Sequence, residues 1–158
     1  MTKLTWLITG CSSGFGEEFA RSLIARGDNV IATARDNAQE RLAVLKDAGA
    51  AIVDLDVTSY QTEIDAKIEG ALKIYGGIDV LLNCAGYIES GTVEEMCSER
   101  LDCQFATNLF GVINVTRAIL PHFRQARSGT IVFLGSSAGI EGEPGVSAYC
   151  ATKFALEG

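Results

Sequence analysis

Short apolar segments alternate along the chain with longer segments in which apolar residues recur every three or four positions. A short apolar run bounded by glycine or polar residues is typical of a buried strand, and the longer spacing is typical of an amphipathic helix. We therefore predict five strands, which cover residues 4–9, 29–34, 51–55, 80–83 and 129–134.

The segments between these strands predict helices, each with one apolar face. The first ends at Gly27, and the others cover residues 39–48, 59–75 and 98–127, the last with a bend or an end near Pro121. The apolar faces are predicted to consist of Phe19, Ala20, Leu23 and Ile24 in the first helix, Leu42, Val44 and Leu45 in the second, Ile64, Ile68, Leu72 and Tyr75 in the third, and Leu101, Phe105, Val112, Val115 and Ile119 in the fourth.

The order of these elements predicts the fold class. Strands that alternate with helices of this length pair in parallel through right-handed crossovers, which place helices on both faces of one sheet. We therefore expect an α/β fold, a Rossmann-like doubly wound parallel sheet in three layers, α/β/α, formed by residues 1–158 as a single domain. With 158 residues, 47% of them hydrophobic and 21% charged, the chain is long enough for one domain with its own core.

Charge and composition narrow the possible partners. A formal net charge of −7 argues against nucleic acid and anionic membranes. No apolar stretch approaches the roughly 18 residues that a bilayer-spanning helix requires, and the N-terminal residues lack the features of a secretory signal, so we expect a cytoplasmic protein without membrane association. The five cysteines are scattered and His122 is the only histidine, so we expect reduced thiols and no metal site.

A glycine-rich loop follows the first predicted strand and leads directly into the first helix. Gly10, Gly14 and Gly16 stand in G-x-x-x-G-x-G spacing, which permits a tight exit from the strand, a close approach of backbone to a pyrophosphate, and close helix packing. The N-terminus of the helix adds partial positive charge. These features predict a dinucleotide-binding loop, although such a loop alone also serves purely structural ends in many domains.

Three motifs together carry a resemblance to a known family. They are Thr-Gly-x-x-x-Gly-x-Gly from Thr9, Asn-Cys-Ala-Gly from Asn83, and Tyr-Cys-Ala-Thr-Lys from Tyr149. In the order and spacing of these motifs the chain resembles the short-chain dehydrogenases/reductases over residues 4–158. One departure is Cys84, where the family often has a second asparagine.

The resemblance assigns catalytic roles to Tyr149, Lys153, Ser136 and Asn108. In the family the tyrosine exchanges a proton with the substrate oxygen as hydride passes to or from nicotinamide, and the lysine also holds the nicotinamide ribose. The serine polarises the substrate oxygen, with Ser137 as the nearby alternative, and the asparagine positions a water that links the lysine to solvent. The tyrosine and lysine also make chemical sense as a pair, because residues four apart share a helix face and an ammonium near a phenol favours the phenolate.

Each of these residues also has an interpretation without function. An isolated Tyr-x-x-x-Lys pair is most often an exposed contact on a helix, an isolated asparagine is a satisfied polar group, and a serine beyond a strand caps a turn. The surrounding motifs favour the catalytic interpretation of Tyr149 and Lys153. Position within the family pattern is what supports Ser136 and Asn108.

The cofactor preference is expected to depend on the end of the second strand, where an acidic residue would bind the adenosine ribose of NAD. The family pattern puts Ala34 at that position and Arg35 directly after it, so a guanidinium can meet the 2′-phosphate of NADP, helped by Ser12 or Ser13. We therefore predict NADP rather than NAD. Alternatively, Arg35 is a solvated charge and Asp36 binds the ribose. The residues expected to bind the cofactor are Gly10, Ser12, Ser13, Gly14, Phe15, Gly16, Arg35, Asp56, Val57, Asn83, Ala85, Gly86, Tyr149 and Lys153.

The resemblance implies hydride transfer between NADP(H) and a carbonyl or secondary alcohol of a small molecule that the sequence does not identify. It also implies homo-oligomers for a full-length parent. Family members continue well beyond the helix that begins around Tyr149, so we expect a fold that is incomplete at the C-terminus, with the fifth strand at the edge of the sheet. The alternative function is that of a truncated, catalytically inactive dinucleotide-binding domain or sensor.

Overall fold

A computed structural model describes residues 3–158 and contains one sheet of five parallel strands. Their order in the sheet is β3-β2-β1-β4-β5, which confirms the doubly wound parallel topology. Leu7 of the central strand is in register with Ile31 on one side and with Leu81 on the other. The strands are β1 Thr5–Ile8, β2 Asn29–Ala34, β3 Ala51–Asp54, β4 Val80–Asn83 and β5 Thr130–Phe133.

Helices connect the strands and cover both faces of the sheet. A π-helical segment, Ala106–Gly111, joins two of the α-helices, and a 3₁₀ turn, Ser137–Gly139, follows the last strand. The α-helices are α1 Gly14–Arg26, α2 Ala38–Arg41, α3 Ala43–Asp47, α4 Gln61–Ile74, α5 Ser98–Phe105, α6 Val112–Ala126 and α7 Ser147–Glu157.

Two buried apolar clusters produce the three-layer α/β/α arrangement. Because side chains alternate along a strand, Leu7 and Ile8 point to opposite faces of the sheet. Leu7 belongs to the cluster that packs against α4 and α6, which contribute residues such as Ile64 and Ile119. Ile8 belongs to the cluster that packs against α1, α2 and α3, which contribute residues such as Leu23. The sheet is thus enclosed on both sides, as the order of elements predicts.

Several details of the predicted helices are wrong. The helix expected over 39–48 is two short helices that meet at Leu42, whose backbone angles, φ −108° and ψ 20°, are not helical. The helix expected over 98–127 contains the π-helical segment, and Pro121 lies within α6 without ending it. Four residues expected on apolar faces are exposed. Phe19, Val44 and Leu101 lie within their helices but off the buried positions, and Tyr75 follows Ile74, the last residue of α4.

The fifth strand lies at the edge of the sheet, as the sequence predicts. Within residues 3–158, β5 pairs with β4 alone and is an edge strand.

None of the helices in this part of the chain combines the length and the hydropathy that crossing a membrane requires.

The carboxylate of Asp28 fastens the start of β1 to the loop between α1 and β2. Its Oδ1 accepts from the backbone N–H of Leu4 at 3.0 Å, and its Oδ2 accepts from Nε1 of Trp6 at 3.2 Å. The Arg26 guanidinium pairs with the same carboxylate and lies 5.6 Å from the centre of the Trp6 ring. Partial burial opposes ionisation, but the bonds to Leu4, Arg26 and Trp6 together lower the pKa of the Asp28 carboxyl below its ordinary value of 3.8.

We expect Asp28→Ala to lower the free energy of unfolding by about 2 kcal/mol, because it leaves a backbone N–H and an indole N–H without their charged acceptor. Urea titration followed by circular dichroism measures the change. Asp47→Ala, which removes an exposed carboxylate at the end of α3, serves as the control and should change stability by less than about 0.5 kcal/mol.

The same pair of variants tests the charge of Asp28. A carboxylate whose folded pKa is depressed contributes stability above its unfolded pKa and loses it as the pH falls through the folded value. The difference between the native chain and Asp28→Ala should therefore persist at neutral pH and shrink below pH 3.8. A difference that stays constant through that acid range would contradict the assignment.

Candidate functional site

An open cleft of about 640 Å³ lies at the carboxyl ends of the strands. Its walls are the loops that follow all five strands, together with the π-helical segment and the first turns of α7. Loops at this end of a doubly wound sheet are where such folds bind ligands. The predicted site residues that line the cleft are Gly10, Ser12, Ser13, Gly14, Phe15, Gly16, Arg35, Val57, Ala85, Gly86, Asn108, Ser136, Tyr149 and Lys153.

Two glycines of the first loop allow backbones to approach each other closely. A Cβ at Gly10, where φ is +72°, would lie 2.7 Å from the Cα of Ala85, and a Cβ at Gly16 would lie 2.4 Å from the carbonyl oxygen of Gly10. Gly14 differs, because a Cβ there would have no atom of another segment within 4 Å in the part of the chain that the structure describes. Gly14 therefore borders the open cleft rather than a neighbouring segment, as expected for a glycine that leaves room for a ligand.

The start of α1 offers hydrogen-bond donors to the cleft. Ser13 is the N-cap residue, and its side chain makes no capping hydrogen bond. The first N–H groups of a helix have no partner inside the helix, and they carry the positive end of its dipole. These N–H groups, together with the space beside Gly14, fit the pyrophosphate of a dinucleotide.

Thr9 joins the glycine loop to the segment after β4. Its buried Oγ1 accepts from the backbone N–H of Cys84 at 3.1 Å and of Ala85 at 3.0 Å. Sequence reasoning used Thr9 as part of a motif and did not assign it a role of its own. The signal was its place in that motif, directly before Gly10.

Tyr149 and Lys153 lie on the face of α7 that borders the cleft. The Lys153 Nζ is 5.7 Å from the centre of the Tyr149 ring and donates to the carbonyl oxygen of Leu134 at 2.6 Å. Burial lowers the pKa of the Lys153 ammonium, and the neighbouring Cys84 and Glu157 oppose that shift. The lysine is thus held in a fixed position between the end of β5 and the tyrosine.

Cys84, the departure from the family pattern, also lines the cleft. Burial raises the pKa of its thiol to about 11, and the nearby Lys153 only partly offsets this. The thiol is therefore protonated at neutral pH and behaves as a small, weakly polar wall residue.

Asn108 occupies the π-helical segment and is 1% exposed. Its Nδ2 donates to the Tyr87 carbonyl oxygen at 2.8 Å, and its Oδ1 accepts from the Tyr87 N–H at 3.1 Å. The amide thus fixes the backbone of one residue in the cleft wall. Its expected role in holding a water stays a prediction.

Ser136 and Ser137 have different surroundings. Ser136 lines the cleft, and its Oγ accepts from the backbone N–H of Ala138 at 3.2 Å as the cap of the 3₁₀ turn. Ser137 donates instead to Oε1 of Glu143 at 3.1 Å. An Oγ that accepts from the backbone still has its own O–H to donate, so Ser136 is the serine whose hydroxyl can reach a ligand in the cleft.

Asp56 and Asn83 are the predicted site residues that the structure does not bring to the cleft wall. The Asp56 carboxylate accepts from the N–H of Thr58 at 2.8 Å and from its Oγ1 at 2.7 Å. Asn83 is 3% exposed at the end of β4, where its Nδ2 lies 3.5 Å from Oγ1 of Thr116 and its Oδ1 has no hydrogen-bond partner among residues 3–158. Their roles toward a cofactor stay predictions.

Sequence reasoning did not assign part of the cleft wall. These residues are chain neighbours of the predicted ones, so their signal was adjacency to a motif rather than residue type. They are Leu55, Tyr87, Ile88, Thr107, Leu134 and Gly135.

Comparisons with known proteins bear on this arrangement. The family model for short chain dehydrogenase matches residues 5–158. An oxidoreductase of Botryotinia fuckeliana is 41% identical, and the match covers 100% of this chain and 58% of the relative. The solved structure of a short-chain dehydrogenase from Streptomyces avermitilis is 42% identical with a TM-score of 0.92, over 99% of this chain and 58% of that one.

A second solved structure is similar over the same region. It is an actinorhodin polyketide ketoreductase solved with NADPH, 33% identical with a TM-score of 0.89, over 98% of this chain and 61% of that one. The chain therefore spans about 58% of the length of the first relatives. Since the family model covers nearly every residue and the cleft combines all three motifs, the chain belongs to the short-chain dehydrogenase family.

Proposed function

We infer that the protein carrying this chain is an oxidoreductase that transfers a hydride between NADP(H) and a carbonyl or secondary alcohol of a small molecule. One observation carries the proposal: Tyr149, Lys153 and Ser136 line the same cleft as the glycine loop before α1. A proton donor and a dinucleotide-binding loop in one cleft are what hydride transfer to a carbonyl requires.

The dinucleotide would be held mainly by backbone groups. The loop around Gly14 and the N–H groups at the start of α1 would bind the pyrophosphate, and Lys153 would hold the nicotinamide ribose. When bound, the nicotinamide supplies or accepts the hydride. The protein's contribution is to orient the substrate oxygen next to Tyr149 and to exchange one proton with it.

Tyr149 would donate the proton to a carbonyl oxygen and would take it back from an alcohol in the reverse direction. The Lys153 ammonium, 5.7 Å from the phenol ring, stabilises the phenolate left after donation. The Leu134 carbonyl holds that ammonium in place and leaves its other two N–H donors for ribose and water. The Ser136 hydroxyl would hydrogen-bond the substrate oxygen and polarise the carbonyl.

NADP is the dinucleotide that the charges around the cleft favour. Arg35 lines the cleft directly after β2, whereas the neighbouring carboxylate of Asp36 is not part of its wall. Arg41 donates to the backbone oxygen of Arg35 at 2.9 Å, so a second guanidinium lies close by. A 2′-phosphate would meet positive charge there, and the similar ketoreductase was solved with NADPH.

We expect Tyr149→Phe to reduce turnover at least about a hundredfold, because it removes the proton that the substrate oxygen needs. The dissociation constant of NADPH should change by less than about twofold, since the phenol acts on the substrate. Loss of NADPH absorbance with a panel of a cyclic ketone, a long-chain ketone and an aldehyde measures turnover. NADPH fluorescence measures binding.

Tyr60→Phe is the matched control, because that phenol is 83% exposed and outside the cleft. It should leave both quantities unchanged. Equal losses of turnover and NADPH affinity in Tyr149→Phe would contradict the assigned role. NADPH binding without turnover of any ketone by the native protein would select a dinucleotide-binding function instead.

We expect Arg35→Asp to weaken NADPH binding by about tenfold or more and to shift the preference toward NADH, because a repulsive charge replaces the phosphate partner. Titration of each dinucleotide against its fluorescence gives the ratio of the two dissociation constants. Arg127→Asp makes the same change of charge at the exposed end of α6, before β5 begins, and should leave the ratio unchanged. An unchanged ratio in Arg35→Asp would remove Arg35 from the phosphate site.

A further inference from the structure

We propose that Gln104 is a positioning residue for the reaction, acting through the backbone of residues 87–89 in the cleft wall. The inference rests on the proposed function and concerns a residue outside the three motifs. Gln104 lies on α5 and does not itself line the cleft. It is 0% exposed, whereas its helix neighbour Leu101, expected on the buried face, is 40% exposed.

Both ends of the Gln104 amide are bonded to the cleft wall. Its Nε2 donates to the carbonyl oxygen of Tyr87 at 2.9 Å, and its Oε1 accepts from the backbone N–H of Glu89 at 2.7 Å. Burying an amide costs free energy unless its donors and acceptors are paired, so these two bonds explain why a glutamine tolerates this position. Because hydrogen bonds have a narrow range of distances and angles, the two bonds also fix the position of the wall backbone relative to Gln104.

The segment that Gln104 holds has few other restraints. Residues 84–92 form neither helix nor strand, and Ile88 is 57% exposed although it lines the cleft. Side-chain packing therefore contributes little to its position, and the backbone hydrogen bonds fix it. The Glu89 side chain adds an ion pair with Arg100 of α5, which ties the same segment to the same helix.

The side-chain amides of Gln104 and Asn108 bond overlapping sets of backbone groups in the cleft wall. Asn108 holds both backbone groups of Tyr87, and the Tyr87 carbonyl accepts from both amides. Of the two amides, only that of Gln104 also bonds the backbone of Glu89. Without Gln104, Tyr87 keeps its partner and the backbone from Ile88 onward loses one.

The segment that Gln104 holds is connected by a hydrogen bond to the loop before α7, the helix that carries the proposed proton donor. Two residues beyond Glu89, the N–H of Gly91 donates to the carbonyl oxygen of Gly145 at 2.8 Å. Gly145 belongs to the loop before α7, and Tyr149 is the third residue of that helix. Gln104 thus braces the wall and the approach to Tyr149 together, whereas the glycine loop before α1 is held by other contacts, such as those of Thr9. Its loss should therefore affect the chemical step more than dinucleotide binding.

The test replaces Gln104 with methionine, which keeps the volume and removes both hydrogen bonds. We expect kcat/KM for the best ketone or aldehyde of the panel to fall about tenfold, because small misplacements of a reacting group are costly. The dissociation constant of NADPH should stay within about threefold of the native value. Hydrogen exchange at the Glu89 amide should become faster, which reports the release of the wall without reference to activity.

Gln61→Met is the matched control. The Gln61 side chain on α4 donates to the Asn114 carbonyl oxygen at 3.1 Å and accepts from Arg117 at 3.3 Å, outside the cleft. Its loss should lower the melting temperature without changing kcat/KM. A second variant, Gln104→Asn, keeps an amide one methylene short of its partners and should lower kcat/KM in the same direction if Gln104→Met folds poorly.

The outcomes separate the inference from the proposed function. Absence of carbonyl turnover in the native protein would overturn the proposed function. Turnover in the native protein with an unchanged kcat/KM in both Gln104 variants would overturn the inference alone. A loss of kcat/KM equal to that of Gln61→Met, or matched by an equal loss of NADPH affinity, would reduce Gln104 to a stabilising residue.

Discussion

The parallel pairing of β1 with β4 is the interaction on which the site depends. From β1 the sheet grows through β2 to β3 on one side and through β4 to β5 on the other, so the loops that leave β1 and β4 diverge and open a crevice. Thr9 and Gly10 hold the base of that crevice closed, since the Thr9 Oγ1 accepts from the segment after β4 and Gly10 lies against Ala85. A side chain at Gly10 would push apart the two loops that form the cleft.

Features that depend on local sequence could be predicted, and features that depend on distant contacts could not. The five strands could be predicted from runs of apolar residues. The glycine loop could be predicted because its turn requires positive φ angles, which glycine adopts most easily. The break at Leu42 could not be predicted, because its sequence has a helical pattern throughout and the tertiary packing of α2 and α3 decides the backbone there. The π-helical segment could not be predicted either. Its residues fit the pattern of an ordinary helix, and the pattern does not reveal the change in backbone hydrogen bonding.

The same distinction applies within the site. Family resemblance located Tyr149, Lys153, Ser136 and Asn108, and the cleft brings all four together. Neither the resemblance nor the helical pattern pointed to Gln104. The pattern assigns the buried face of a helix to apolar residues, and it therefore selected Leu101. The rule fails on α5 because the partner of that face is a loop with free backbone groups rather than an apolar core. A buried amide is then the side chain that fits, and only the position of that loop reveals it.

Tertiary contacts also explain how α7 holds the proposed proton donor in place. Lys153 bonds the end of β5, and the Cys150 sulfur accepts from the Glu143 N–H in the preceding loop. The loop in turn is braced through Gly145 by the wall that Gln104 holds. The geometry of Tyr149 is therefore a property of α5, β5 and two loops together, and a change in any of them can alter the proposed turnover while the glycine loop before α1 stays intact.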